Sequence, residues 1–230
     1  MRYINRTGAL LLLLSVFNAA PLQAGSLGAD TLVADTKSAD TLRADKIFDS
    51  VSIYAGQGVN HNLKELPGKI ISGLVQWDKT YFTALGFNKV RGMLGQSFAS
   101  LQNTSFASYQ HGYEMVLLQH QGLQNNGEVG AACTLRTPDL QMGNLGINFM
   151  AGGGLSYALG TPSYEDGSRL DPGRRYRLQF LGLFELEWHL RKFANLSLIT
   201  RVHHRSGVYG LIAPQHVGSN FLALGIRYQF

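Results

Sequence analysis

The C-terminal residues of the chain alternate between apolar side chains and small or polar ones. Successive side chains of a β-strand point to opposite sides, so this alternation predicts a strand with one apolar face and one polar face. The apolar face holds Leu222, Leu224, Ile226, Tyr228 and Phe230, and the other face holds Ala223, Gly225, Arg227 and Gln229. Apolar residues that face lipid, alternating with residues that face a lumen, are typical of a transmembrane β-barrel strand.

Two earlier segments, 176–191 and 195–206, show the same alternation. Charged side chains face hydrocarbon only at a high cost in free energy, so the charged faces of both segments should point into the barrel. Glu185 of the first segment and Arg201 of the second are then expected to pair. Small barrels are filled by their own side chains, and we interpret these charges as interior filling rather than as a site.

Six further candidate strands precede these segments, separated by turn residues and without helical periodicity longer than two turns. They span 51–59, 69–77, 81–91, 111–122, 127–136 and 144–157. The total of nine conflicts with the even number of strands in single-chain bacterial barrels. We therefore predict an all-β fold, an eight-stranded antiparallel transmembrane β-barrel, in which one early candidate is wrong, merged or outside the barrel.

The N-terminal part of the chain does not share this pattern. Residues 1–24 combine two early arginines, an apolar core and a small residue, Ala24, at the expected cleavage site, as in a secretory signal peptide. Residues 25–47 form a polar linker in which ADTLVAD recurs as ADTLRAD, and which has too few apolar side chains to bury a core. The predicted organisation is a signal peptide over 1–24, a linker over 25–47 and an outer-membrane barrel over 48–230.

Composition and charge agree with this organisation. The 27 glycines, against 6 prolines, favour a β-rich chain with many bends. Removing the signal peptide removes Arg2 and Arg6 and lowers the formal charge from +5 to +3, too little to indicate nucleic-acid binding. Cys133 is the single cysteine, so it cannot form a disulfide within the chain and is expected to pack in a strand.

The outward face of segment 195–206 ends in two polar residues, His204 and Ser206. A periplasmic C-terminus makes the last strand run inward, so these residues are expected at the outer rim, level with the lipid headgroups. The alternation of the last strand places Asn220 outward at the same rim. A base, a nucleophile and an orienting group are thus predicted to converge on one patch. The alternative is a hydrated strand end that carries polar residues without any catalytic role.

The segment HHRSG, followed by a glycine-containing loop and an outward polar residue ten positions before the C-terminus, resembles the lipid A 3-O-deacylase family. The upstream WDKTY, residues 77–81, is similar to a turn in that family. The resemblance implies an eight-stranded outer-membrane barrel that cleaves an ester of lipopolysaccharide lipid A without a metal or cofactor. It implies that His204 is the general base and Ser206 the nucleophile, whereas Asn220 stands where the family has a carboxylate. The family's oxyanion arrangement does not transfer, and the N–H of Gly207 is the candidate donor.

The segment GTPSYEDGSRLDPGRRY is predicted to be an extracellular loop beside this site. Its arginines suit the anionic phosphates of lipid A, although such charges also serve simply to solvate a loop. They are Arg169, Arg174 and Arg175. Two other functions stay open: phospholipase activity with the same residues, and a non-catalytic small barrel with a structural or binding role. The barrel could also form a homodimer.

Overall fold

A computed structural model of the chain describes residues 46–165 and 176–230, and the predicted signal peptide and most of the linker lie outside the described residues. The described residues form two α-helices, α1 (Leu66–Ser72) and α2 (Leu94–Ser97), with short 3-10 turns at Leu63–Glu65, Ala99–Leu101 and Arg191–Phe193. They also form nine strands, in the order β1 (Ser50–Val59), β2 (Trp77–Met93), β3 (Gln110–Gly122), β4 (Gly127–Arg136), β5 (Leu140–Met142), β6 (Leu145–Ala158), β7 (Leu178–Leu190), β8 (Leu196–Ser206) and β9 (Gly218–Gln229). Among the described residues, no helix is long and apolar enough to cross a membrane.

Eight of these strands close into an antiparallel barrel. Each barrel strand pairs with its neighbours in the chain, β4 pairs with β6, and β1 pairs with β9 to close the wall. The short β5 pairs only with β6 and lies outside the closed wall. Closure satisfies the backbone hydrogen bonds of every barrel strand and leaves no sheet edge. The predicted eight-stranded antiparallel barrel is confirmed.

The predicted strand at 69–77 is wrong. These residues form the end of helix α1 and the connection to β2, which begins only at Trp77. Pro67 lies in the first turn of α1, where its missing N–H costs nothing, and Gly73 ends the helix with a φ of 71°. A short apolar run such as Ile70-Ile71 is compatible with either structure, so its periodicity could not decide. Removing this candidate brings the nine predicted strands to the eight that form the observed barrel wall.

The two faces of the wall follow the predicted alternation. Leu224, Ile226 and Tyr228 are 58%, 49% and 49% exposed on the outward face, whereas Arg227 is 1% exposed inside the barrel. We call the end of the barrel that carries Ser206 and the start of β9 the upper rim. Cys133 lies in β4 as a free, half-buried thiol.

Three arginines and three glutamates fill the lower part of the interior. Arg201 binds Glu185 through Nε at 2.9 Å and also binds Glu114 from the far wall, so the predicted Glu185–Arg201 pair is present. Arg227 reaches Glu185 and Glu187 at 2.6 and 2.7 Å. Arg136 is the third arginine and contacts Glu187. Equal numbers of opposite charges allow this cluster to stay buried.

A second polar cluster lies toward the upper rim, at the level of the Phe82 and Phe221 rings. Glu128 accepts hydrogen bonds from two histidines, His120 at 2.8 Å and His203 at 3.1 Å. Glu165 enters the barrel from the β6–β7 connection and receives Arg205 as an ion pair. The interior is therefore plugged by paired side chains, as expected for a barrel of this size.

Candidate active site at the upper rim

Strand register brings the predicted base and orienting residue side by side. His204 of β8 lies directly opposite Asn220 of β9, and Ser206 lies opposite Gly218. His204 and Ser206 alternate with Arg205, whose side chain is fully buried in the interior, so both point outward. All three predicted residues thus occupy one outward patch at the upper rim.

A chain of hydrogen bonds defines the state of His204. Asn220 Nδ2 donates to the backbone carbonyl of His61 at 2.8 Å, and since a carbonyl only accepts, this contact sets the orientation of the amide. Asn220 Oδ1 then lies 2.7 Å from His204 Nδ1, which must carry the proton and donate it. His204 Nε2 is left unprotonated in the neutral ring. This is the tautomer that a general base requires.

Ser206 is close to His204 along the strand but is not bonded to it. Residues two apart on one face of a strand are separated by about 7 Å, a span that an imidazole ring can bridge only in part. Within the residues that the structure describes, the Ser206 hydroxyl forms no hydrogen bond. Catalytic hydrogen bonds are often long in proteins without substrate, so the geometry is compatible with a dyad that tightens on binding.

Gly207 does not offer a free oxyanion donor. Its N–H donates to the carbonyl of Val217 at 3.2 Å, within the turn that connects β8 to β9. Val208 and Tyr209, which follow it, have φ angles of 48° and 53°, a region that branched and bulky residues rarely adopt. Such strain is often found at functional sites. Within the described part of the chain, the N–H groups of 208–210 donate no hydrogen bond.

The β1–β2 connection, residues 60–76, lies against the outward face of the barrel beside this patch. We call it the rim segment. Its ends are joined by a hydrogen bond from Asn60 N–H to Gln76 O at 3.0 Å, and His61 Nε2 accepts the N–H of Gln76 at 2.9 Å. Leu66 in helix α1 is only 1% exposed although the helix lies outside the barrel. The sequence pattern did not indicate this helix, because residues 69–77 were predicted to form a strand.

An apolar groove of about 1010 Å³ separates helix α1 from the barrel wall. Its floor consists of side chains of β1 and of β6 to β9, and its roof consists of Leu63, Leu66, Pro67 and Ile70. The WDKTY motif borders the same region: Trp77 and Tyr81 line the groove, and the Asp78 carboxylate accepts a hydrogen bond from the Tyr164 hydroxyl at 2.6 Å. Burial and this contact with Asp78 raise the pKa of Tyr164 above its usual range.

The arginines proposed for phosphate recognition, Arg169, Arg174 and Arg175, lie outside the described residues. One group inside the barrel has ligand atoms within 4.8 Å of one another, as a metal site would: His120, Glu128 and Glu165. His120 and Glu128 bind each other, and Glu165 binds Arg205, so these atoms already serve the interior network.

No family model and no curated protein matches the sequence. Among solved structures, the chain is similar to the crystal structure of the outer membrane enzyme PagL, with a TM-score of 0.52 and 14% identity over 79% of this chain and 99% of that one. A second similar structure is Neisserial surface protein A (NspA), with a TM-score of 0.44 and 10% identity over 80% of this chain and 97% of that one. The likeness to PagL establishes the class of fold. The chain is a small closed β-barrel that resembles those of bacterial outer membranes.

Proposed function

We propose that the protein is a serine esterase of the bacterial outer membrane, resembling lipid A 3-O-deacylase, which removes an ester-linked acyl chain from lipopolysaccharide lipid A. The observation that carries the proposal is the hydrogen-bond chain from His61 through Asn220 to His204, which leaves His204 Nε2 as a base beside Ser206. The likeness to PagL supports it only through the fold.

The position of the patch suits a lipid substrate. With the upper rim facing the cell exterior, His204, Ser206 and Asn220 lie where lipid headgroups meet acyl chains. An ester in the outer leaflet would reach these residues by lateral diffusion, without leaving the membrane. An outward site needs no lumen, which agrees with an interior filled by ion pairs.

The chemistry would proceed in two steps. Ser206 Oγ attacks the ester carbonyl carbon while His204 Nε2 takes the hydroxyl proton, and the same nitrogen returns that proton to the leaving sugar oxygen. This gives an acyl-serine and a free hydroxyl. A water molecule, deprotonated by His204, then attacks the acyl-serine, and the fatty acid leaves as Ser206 regains its proton. No metal or cofactor enters these steps.

Asn220 sets the expected rate. It holds His204 in the required tautomer, but it supplies no negative charge to stabilise the imidazolium that forms during each step. Removing the carboxylate from a protease serine triad lowers kcat by about 10⁴, chiefly by destroying the tautomer. Because Asn220 preserves the tautomer, we expect a smaller loss and slow but measurable hydrolysis.

The test is mass spectrometry of lipid A after incubation with the purified protein in detergent. The wild type should release one ester-linked fatty acid, Ser206→Ala should release none, and His204→Ala should reduce the release by about 10²–10⁴. His216→Ala is the matched control, because His216 is an exposed histidine of the same β8–β9 connection. Release from phosphatidylcholine instead of lipid A would assign phospholipase activity to the same residues.

The second candidate function is a non-catalytic small outer-membrane barrel with a structural or binding role. The unbonded hydroxyl of Ser206 favours it, since an assembled catalytic pair would be joined by a hydrogen bond. Intact lipid A and phospholipids after prolonged incubation with the wild type would support this role. Formation of a homodimer stays a prediction that crosslinking in membranes can test.

A further inference from the structure

The groove under helix α1 begins directly below the site. Leu222 and Val202 face each other across β9 and β8, one outward position below Asn220 and His204, and Leu224 and Thr200 form the next outward row. One outward position corresponds to about 7 Å along a strand. All four of these residues line the groove. A hydrocarbon chain attached to an ester carbonyl at Ser206 would therefore run straight into it.

The roof of the groove carries apolar side chains on both of its surfaces. Leu66 lines the groove and is buried, whereas Ile71 and Leu74 do not line it and are 87% and 63% exposed. A segment of this kind is stable only where hydrocarbon covers it, because exposed apolar surface costs free energy in water. The groove is continuous with the outward apolar band of β9 at Leu224 and Ile226. Acyl chains are the molecules that fill such a space in a bilayer.

Asn220 joins the roof to the site. Its Oδ1 accepts the His204 proton, and its Nδ2 donates to His61 O in the rim segment. The amide serves both partners, whereas a carboxylate has no hydrogen to donate and would face the His61 carbonyl with a second acceptor. The departure from a carboxylate at this position therefore has a structural counterpart in the rim segment.

We infer that the rim segment is the roof of a slot that binds one acyl chain of lipid A, and that Asn220 is the latch that keeps the roof closed. The inference rests on the proposed function for the identity of the lipid, but not on hydrolysis. Chain binding can therefore be measured in Ser206→Ala, in which the ester stays intact.

The experiment is native mass spectrometry of the full mature chain with Ser206→Ala, released from vesicles of phosphatidylcholine and lipid A. One lipid A molecule should remain bound. Ala55→Trp, which places an indole in the groove opposite Leu224, should lower the retained lipid by about tenfold or more. Ala131→Trp is the matched control, because Ala131 is an exposed residue of β4 outside the groove, and it should retain lipid A.

Hydrogen exchange tests the latch independently. Asn220→Asp should speed amide exchange throughout residues 60–76 and lose the retained lipid, whereas His204→Ala, which keeps the Asn220–His61 bond, should do neither. Equal lipid loss in Ala55→Trp and Ala131→Trp, or unchanged exchange in Asn220→Asp, would overturn the inference. Retention of phosphatidylcholine in place of lipid A would overturn the assigned occupant. If lipid A is retained but the wild type does not hydrolyse it, the acyl-chain slot is supported and the proposed esterase activity is rejected.

Discussion

The barrel interior and the upper-rim patch use polar residues in opposite ways. Inside, Arg201 is 3% exposed and binds two glutamates, Glu114 and Glu185, so each charge has more than one partner. At the rim, His204 and Asn220 form a neutral chain, and within the described residues neither His204 Nε2 nor the Ser206 hydroxyl forms a hydrogen bond. The interior pairs its charges with one another and thereby contributes to stability and specificity. The rim leaves hydrogen-bonding capacity open, which is what a binding or catalytic patch requires.

Arg201→Met should have the largest effect, and on folding alone. It leaves Glu114 and Glu185 short of a positive partner in a buried environment, which typically costs about 3–5 kcal/mol. The free energy of unfolding, measured with urea in lipid vesicles, should fall by that amount. Arg191→Met, at an exposed residue of the β7–β8 turn, is the control and should change it by less than about 0.5 kcal/mol. Equal stability of both variants would show that the interior charges are not coupled.

His204→Ala should leave stability nearly unchanged and reduce fatty acid release by about 10²–10⁴, the usual contribution of a positioned base. The rim position explains the difference from Arg201, because His204 is half-buried and carries no interior partner. Parallel urea titrations and lipid A mass spectrometry separate the two effects. A loss of stability as large as that of Arg201→Met would mean that the rim chain serves the fold.

Asn220→Asp should raise both kcat and KM. A carboxylate stabilises the imidazolium and raises kcat, while loss of the hydrogen bond to His61 opens the roof and raises KM. We expect kcat to rise about tenfold, since a nearby opposite charge raises the pKa of an imidazolium by about one unit or more. We expect KM to rise about tenfold as well. Steady-state kinetics with lipid A dispersed in detergent measures both constants. A higher kcat with an unchanged KM would separate the latch from substrate binding.

Two glycines give the smallest and most closely matched comparison. A methyl group at Gly86 would meet Ser52 Oγ at 2.5 Å and Glu114 Oε1 at 2.8 Å inside the barrel, so Gly86→Ala should cost about 1–3 kcal/mol of stability. A methyl group at Gly182 would meet His204 Cδ2 at 3.2 Å, so Gly182→Ala should displace the ring slightly. We expect the Gly182 variant to lose activity several-fold and to keep its stability, because a small displacement of a catalytic group lowers the rate without disturbing the fold. Melting curves and fatty acid release assays on both variants test this; the prediction is wrong if Gly86→Ala loses mainly activity or Gly182→Ala loses mainly stability.

Much of the wall could be predicted from the sequence, for a local reason. Alternation with period two assigns each side chain to lipid or lumen, and a shift by one residue would place Arg227 in hydrocarbon. The outward placement of His204 and Ser206 and the Glu185–Arg201 pair follow from the same parity. Helix α1 escaped prediction because an apolar pair such as Ile70-Ile71 has no distinctive period. The hydrogen bond from Gly207 N–H to Val217 was not predicted, because the hydrogen bonds of an irregular turn leave no pattern in the sequence.

The sequence by itself determined the strands, their two faces and the outward position of the candidate site residues, because those properties depend on neighbours two residues apart. Tertiary structure alone decided that Glu114 reaches Arg201 across the interior and that Glu165 enters the barrel from a connection. It also decided that His61 meets Asn220, 159 residues away in the chain. Such contacts depend on how the strands tilt and stagger when the barrel closes, and side-chain alternation along one strand carries no information about that closure.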